Sequence, residues 1–136
     1  MDKKMSKSSG NTILLSDSPE EIQKKMRTAV TDPQKIRKND PGRPEICLVY
    51  TYQKKFNASE SPQIDADCRS GALGCVECKS RVAAKIADTL SPFRERRSYY
   101  ESHTNKVKEI LADGESRART RAQGTMSEVR KAMALG

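Results

Sequence analysis

CLVYTYQKKFNASESPQIDADCRSGALGCVEC, residues 47–78, holds all four cysteines of the chain, Cys47, Cys68, Cys75 and Cys78, in the spacing C-x20-C-x6-C-x2-C. Four thiols gathered into less than a quarter of the sequence point to one tetrathiolate metal site that closes a loop. The Cys75-Val76-Glu77-Cys78 turn lets two sulfurs face one centre, and Gly71 and Gly74 allow the tight backbone this needs. Two disulfides would require an oxidising compartment, and no secretory signal pattern is read ahead of them. Inert small hydrophobes would not cluster beside glycines and charges. Zinc sites commonly pair two C-x2-C halves, of which one is present, whereas iron–sulfur clusters accept uneven gaps. Spacing alone leaves the two metals close to even.

Helical patterns flank the cysteines on both sides. Ser18-Pro19-Glu20-Glu21 is a capped start for a helix from Pro19 to about Ala29, burying Ile22, Met26 and Ala29. Asp32-Pro33 ends it, and the basic, turn-rich stretch 34–44 is a loop. Pro44 is expected to open a helix to Phe56 that carries Cys47 one turn in, with Ile46, Val49, Tyr50 and Phe56 as its buried stripe. A short helix should reach Cys68. Another should run from about Val76 to Leu90, burying Val82, Ala83, Ile86 and Leu90, with Cys75 and Cys78 at a positive terminus that favours thiolate. Ser91-Pro92 should break that helix and start one to about Glu101. From Thr104 to Leu135 the period is helical again, with small residues on a stripe expected to pack closely on neighbours.

Composition bounds the rest. In 136 residues only 4% are aromatic and none is tryptophan, so the core is thin and a metal staple would stabilise what burial cannot. No run approaches the apolar length of a bilayer crossing, so a soluble, cytoplasmic protein with no membrane partner is expected. The formal charge is +8, of which residues 79–136 contribute +6, so the second half is where a polyanion would be drawn. Arg117 and Arg121 lie one turn apart, with Arg119 offset. They fit a row along an RNA backbone, or an ordinary exposed face paired with Asp113 and Glu115. His103, the only histidine, reads as a surface or capping residue.

At the other end, Lys4-Met5-Ser6-Lys7-Ser8 spells KMSKS and leads into Ser9-Gly10-Asn11. Two readings compete for it: a basic disordered start such as a tag or nucleic-acid arm, or a phosphate-gripping loop whose ammonium groups and hydroxyls stabilise negative charge. Lys7 is the first candidate for that role and Lys4 the second.

These stretches together resemble one family. KMSKS is the signature of class I aminoacyl-tRNA synthetases. Its sequel, through Ala29-Val30-Thr31-Asp32, Arg43-Pro44-Glu45-Ile46-Cys47, Phe56-Asn57, Leu90-Ser91-Pro92, Asp113-Gly114 and Met126-Ser127-Glu128-Val129, resembles the C-terminal part of bacterial tryptophanyl-tRNA synthetases. The resemblance implies an all-α fold: residues 1–15 as KMSKS loop and linker, and 16–136 as a helical bundle that binds the anticodon of the tryptophan tRNA. It implies ATP as substrate bound by Lys4, Met5, Ser6, Lys7 and Ser8, with Lys7 and Lys4 catalytic. A subset of the family holds a [4Fe-4S] cluster on a cysteine pattern of this form. That moves the expected cofactor at Cys47, Cys68, Cys75 and Cys78 to iron–sulfur, with zinc second, although the first gap here is slightly shorter. Tyr99, Tyr100, Arg117 and Arg121 are candidate RNA contacts. A homodimer is implied for the full-length enzyme.

No Rossmann domain and no HIGH-type motif accompany KMSKS, so ATP and tryptophan would be reached only through a missing catalytic domain. The chain is expected to be inactive alone, as a piece of a longer ligase, a split gene product or an isolated domain. The alternatives are a stand-alone tRNA-binding module with a structural metal, and a degenerate remnant.

Overall fold

The computed structural model describes residue 6 and residues 9–135. Among the described residues all regular structure is helical: α1 (Pro19–Arg27), α2 (Leu48–Phe56), α3 (Ser61–Ser70), α4 (Cys75–Ser102) and α5 (Thr104–Ala132), with a 3-10 turn at Pro44–Ile46. They fall into two compact units, one up to Arg94 and the other from Glu95.

In the first unit, α1 begins as the sequence dictates. The Ser18 hydroxyl accepts the Glu21 amide and the Glu21 carboxylate accepts the Ser18 amide, a complete capping box with Pro19 in the first turn. One face of α1, Ile22 and Met26, meets Val49 of α2 and Val82, Ala83, Ile86, Ala87 and Leu90 of α4. That cluster is the core, and burial of its aliphatic side chains is what holds three helices together.

Three expectations are corrected. The helix foreseen from Pro44 is a 3-10 turn followed by extended backbone at Cys47, so Cys47 precedes α2 rather than riding on its first turn. Ile46 is consequently exposed and Tyr50 and Phe56 are only half-buried, while Val49 is buried as expected. Second, Pro92 does not break α4, which runs 28 residues through it. Proline removes one amide and crowds the carbonyl a turn earlier. The Arg94 guanidinium donates to the Ala87 carbonyl nearby at 2.8 Å, whereas the carbonyl that Pro92 deprives of an amide is that of Asp88. Third, α5, in the second unit, has no buried residue, so its small-residue stripe is not a packed face.

The 32–43 loop is organised by two aspartates. Asp40 Oδ2 accepts the amides of Ile36 and Arg37, at 3.1 and 2.6 Å. Asp32 accepts the Gln34 amide and closes the loop on Arg43. The closed loop lays Gly42 along α3, its amide donating to the Cys68 carbonyl at 2.8 Å. Gly71 then ends α3 at φ 80°, where a Cβ would lie 2.2 Å from the Asn39 carbonyl oxygen. Only glycine turns the chain there from Cys68 toward Cys75.

Candidate metal centre and nucleic-acid surface

The four cysteines come from three segments that the fold brings to one place. Cys47 lies in extended backbone before α2, Cys68 on the last turns of α3, and Cys75 and Cys78 on the first turn of α4. All four line a single cavity of about 20 Å³, with Val49, Ile64, Leu73 and Lys35 among the other walls. None of the four is joined in a disulfide. No carboxylate or imidazole lines the cavity. Among the described residues, no group of three or more His, Cys, Asp or Glu side chains is arranged to hold a metal ion. All four cysteines nonetheless border the same cavity.

Whether this chemistry fits a thiolate-held metal group is testable on the surroundings. Gly42 is the clearest evidence that space beside the sulfurs is reserved: a Cβ there would stand 2.6 Å from Cys68 Sγ and 3.0 Å from Lys35 Cδ. Gln53, fully buried, donates from Nε2 to the Cys78 carbonyl at 2.8 Å and to Cys78 Sγ at 3.4 Å. Its Oε1 accepts from Asn57 Nδ2 at 3.1 Å, and Asn57 reaches on to Glu60 at 3.2 Å. An all-sulfur donor set with an N–H aimed at one sulfur suits a zinc or an iron–sulfur group.

Burial governs the thiols as they stand. Desolvation pushes Cys68 up to about 11; the Lys35 charge opposes this and the other three cysteines reinforce it. Cys78 is also raised by burial, against the Gln53 hydrogen bond. The expected helix-terminus preference for thiolate is therefore overridden at Cys78. The cost of stripping water from the anion exceeds the gain from the terminus until a cation arrives.

The other candidate residues are not brought to this site. Ser6 is the one KMSKS residue described: its hydroxyl meets the Ser9 hydroxyl at 2.8 Å and its amide donates to Asn11 Oδ1 at 3.1 Å. Lys4, Met5, Lys7 and Ser8 lie outside the described residues. Tyr99 and Tyr100 are exposed and meet edge to face at 5.3 Å, and the His103 ring stacks on Tyr99 at 4.2 Å. Arg117 pairs with Asp113 at 2.9 Å and Arg119 with Glu115 at 2.6 Å, while no carboxylate among the described residues pairs with Arg121. Sequence reasoning missed Lys35, Gly42 and Gln53. The only visible signal was Asp40-Pro41-Gly42, which reads as a turn and does not tell what the turn approaches.

With this geometry in hand, the class of protein is defined: the chain belongs to the class I tRNA synthetases of the tryptophan and tyrosine (W and Y) family, whose model matches residues 2–91. Within it, the similarity is to tryptophan–tRNA ligases. The chain is 50% identical to that of Aquifex aeolicus over 135 residues, 98% of this chain and 34% of the relative. To that of Thermotoga maritima it is 36% identical, over 98% of this chain and 41% of the relative. Tryptophanyl-tRNA synthetase from Campylobacter jejuni superposes with a TM-score of 0.83 at 27% identity, covering 97% of this chain and 42% of that one. The all-helical architecture matches the helical C-terminal domain of that enzyme. The chain thus spans 34% to 42% of the length of these relatives.

Proposed function

We propose that this chain is the tRNA-binding, C-terminal portion of a tryptophan–tRNA ligase. In this reading it contributes its helices and the KMSKS segment to ATP-dependent attachment of tryptophan to its tRNA. The observation that carries the reading is 50% identity to a tryptophan–tRNA ligase across 98% of the chain. Lys4 to Ser8 grips the ATP phosphates, with Lys7 and Lys4 stabilising the charge on departing pyrophosphate. The exposed basic residues of 79–136 supply attraction to the tRNA backbone, and Tyr99, Tyr100, Arg117 and Arg121 are its candidate contacts. Mixed with a separately expressed Rossmann half, the chain should restore charging of tryptophan tRNA, as read by incorporation of labelled tryptophan. Failure of a folded pair, with no tRNA binding by the chain, overturns the reading. Binding without restored charging favours the second reading, a stand-alone tRNA-binding module, which rests on the +6 charge of residues 79–136.

The cofactor of this reading is a [4Fe-4S] cluster held by Cys47, Cys68, Cys75 and Cys78. A single zinc draws four sulfurs to about 2.3 Å from one point. A cubane takes each sulfur at a separate corner, and it is the resemblance of the cysteine spacing, with its closing x6 and x2 gaps, that favours the cluster. Bound there, the cluster supplies an inorganic cross-link. The chain's own part is to bring three segments to it, exclude water with Val49, Ile64 and Leu73, and aim the Gln53 amide at Cys78. Iron and sulfide analysis of anaerobically purified protein tests this, and colourless protein carrying one zinc replaces the cluster while leaving the ligase reading in place.

A further inference from the structure

Lys35 is the only buried cation among the described residues. A buried ammonium is costly unless an anion answers it. Its Nζ donates to the carbonyls of Lys38, at 3.3 Å, and Asp40, and these carry no net charge. The two nearest carboxylates in sequence are committed elsewhere. Asp40 Oδ2 is taken by the amides of Ile36 and Arg37, and Asp32 by Arg43 and the Gln34 amide. The stem of Lys35 runs beside sulfur. It lines the same cavity as all four cysteines, and its Cδ and Cys68 Sγ lie 3.0 and 2.6 Å from the point a Gly42 Cβ would occupy.

Four thiolates outweigh the charge of an oxidised [4Fe-4S] core, so the loaded centre is an anion, and adding one electron makes it more so. We propose that Lys35 is the fixed countercharge of that centre, a positioning residue whose ammonium balances the thiolates and raises the cluster's reduction potential. The proposal rests on the cluster reading of the cysteines. The loop clamp between Asp32 and Arg43 holds the stem of Lys35 in place, and the Asp40 and Lys38 carbonyls orient its head. In a medium of low polarity a unit charge beside the cluster acts with little screening.

The test uses the chain purified without oxygen, with iron and sulfide determined first, then Lys35→Met and Lys35→Arg. Each is titrated with a mediated reductant and followed by visible and electron paramagnetic resonance spectra. Lys35→Met, which keeps the stem and loses the charge, should make reduction about tenfold less favourable, about 59 mV more negative for one electron. Lys35→Arg should stay near the parent. An iron-loaded Lys35→Met with the parent's potential overturns the proposal, as do equal shifts in both variants, which would mark a packing effect. If Lys35→Met assembles no cluster, Lys35→Arg decides: a loaded cluster at the parent's potential supports the countercharge, and equal loss overturns it. Parent protein that holds zinc and no iron removes the cluster reading and this inference together, whereas iron-bearing variants with unchanged potential remove the inference alone.

Discussion

The Arg43 guanidinium grips the buried Asp32 carboxylate with two hydrogen bonds, Nε to Oδ2 at 3.0 Å and Nη2 to Oδ1 at 2.7 Å, while the Arg43 amide adds a third at 2.9 Å. This clamp ties the end of the post-α1 segment to the entry of the 3-10 turn and sets Gly42 against Cys68. It links a local ion pair to the geometry of the four-thiol cavity.

A pH dependence follows from that clamp. The Arg43 hydrogen bond, then the Gln34 amide, hold the Asp32 carboxyl far below its usual range. A carboxylate with a depressed folded value contributes stability that is complete above the unfolded value, near 4, and is lost as pH falls toward the folded one. Asp32→Asn should lower the thermal midpoint at neutral pH and flatten its decline below about pH 4. Melts followed by circular dichroism from pH 2 to 7 check this, and an unchanged acid limb would sink it.

Gly42→Ala should cripple metal loading while leaving most helix intact. Its Cβ would sit 2.6 Å from Cys68 Sγ, closer than packed atoms approach. The expected result is at least several-fold less bound metal per chain by elemental analysis, with a near-parental circular dichroism spectrum. Full loading would mean that the loop moves aside freely.

Ile86→Ala empties the centre of the core, where Ile86 is 1% exposed and meets side chains of the α1–α2–α4 cluster. Such truncations cost about 2–5 kcal/mol. Because the core is small and poor in aromatics, that loss should produce a clearly lowered denaturant midpoint in the demetallated protein. Restored stability on metal loading would measure how much the centre compensates.

RNA binding should separate the two arginines of α5. Arg117 is held by Asp113 and Arg121 has no carboxylate partner among the described residues. Arg121→Gln should therefore weaken tRNA binding more than Arg117→Gln and reduce the log–log salt slope by about 1. Equal, salt-independent effects of both would show that neither meets phosphate.

Much of this molecule was legible one segment at a time. The capping box at Ser18, the α4 core stripe from Val82 to Leu90 and the helical period of α5 are local patterns, set by hydrogen bonds and side-chain spacing within a few residues. The cysteine spacing likewise announced one shared site, and KMSKS with its sequel announced the family. Local rules failed where a distant group intervened. Pro92 reads as a break, yet α4 continues through it, its core side packed on α1 and α2 and buried up to Leu90. Cys47 reads as helical, yet the chain stays extended there to reach the cavity.

By itself, the sequence determined that the chain is helical, basic, poor in aromatics and equipped with four convergent thiols. Only the tertiary structure decided that Gly42 makes room for the Cys68 sulfur, that Gln53 reaches Cys78, and that Lys35 is the buried cation beside them. The reason is physical: periodicity and capping are written in neighbouring residues, whereas burial and charge balance depend on groups that come together only when the chain closes on itself.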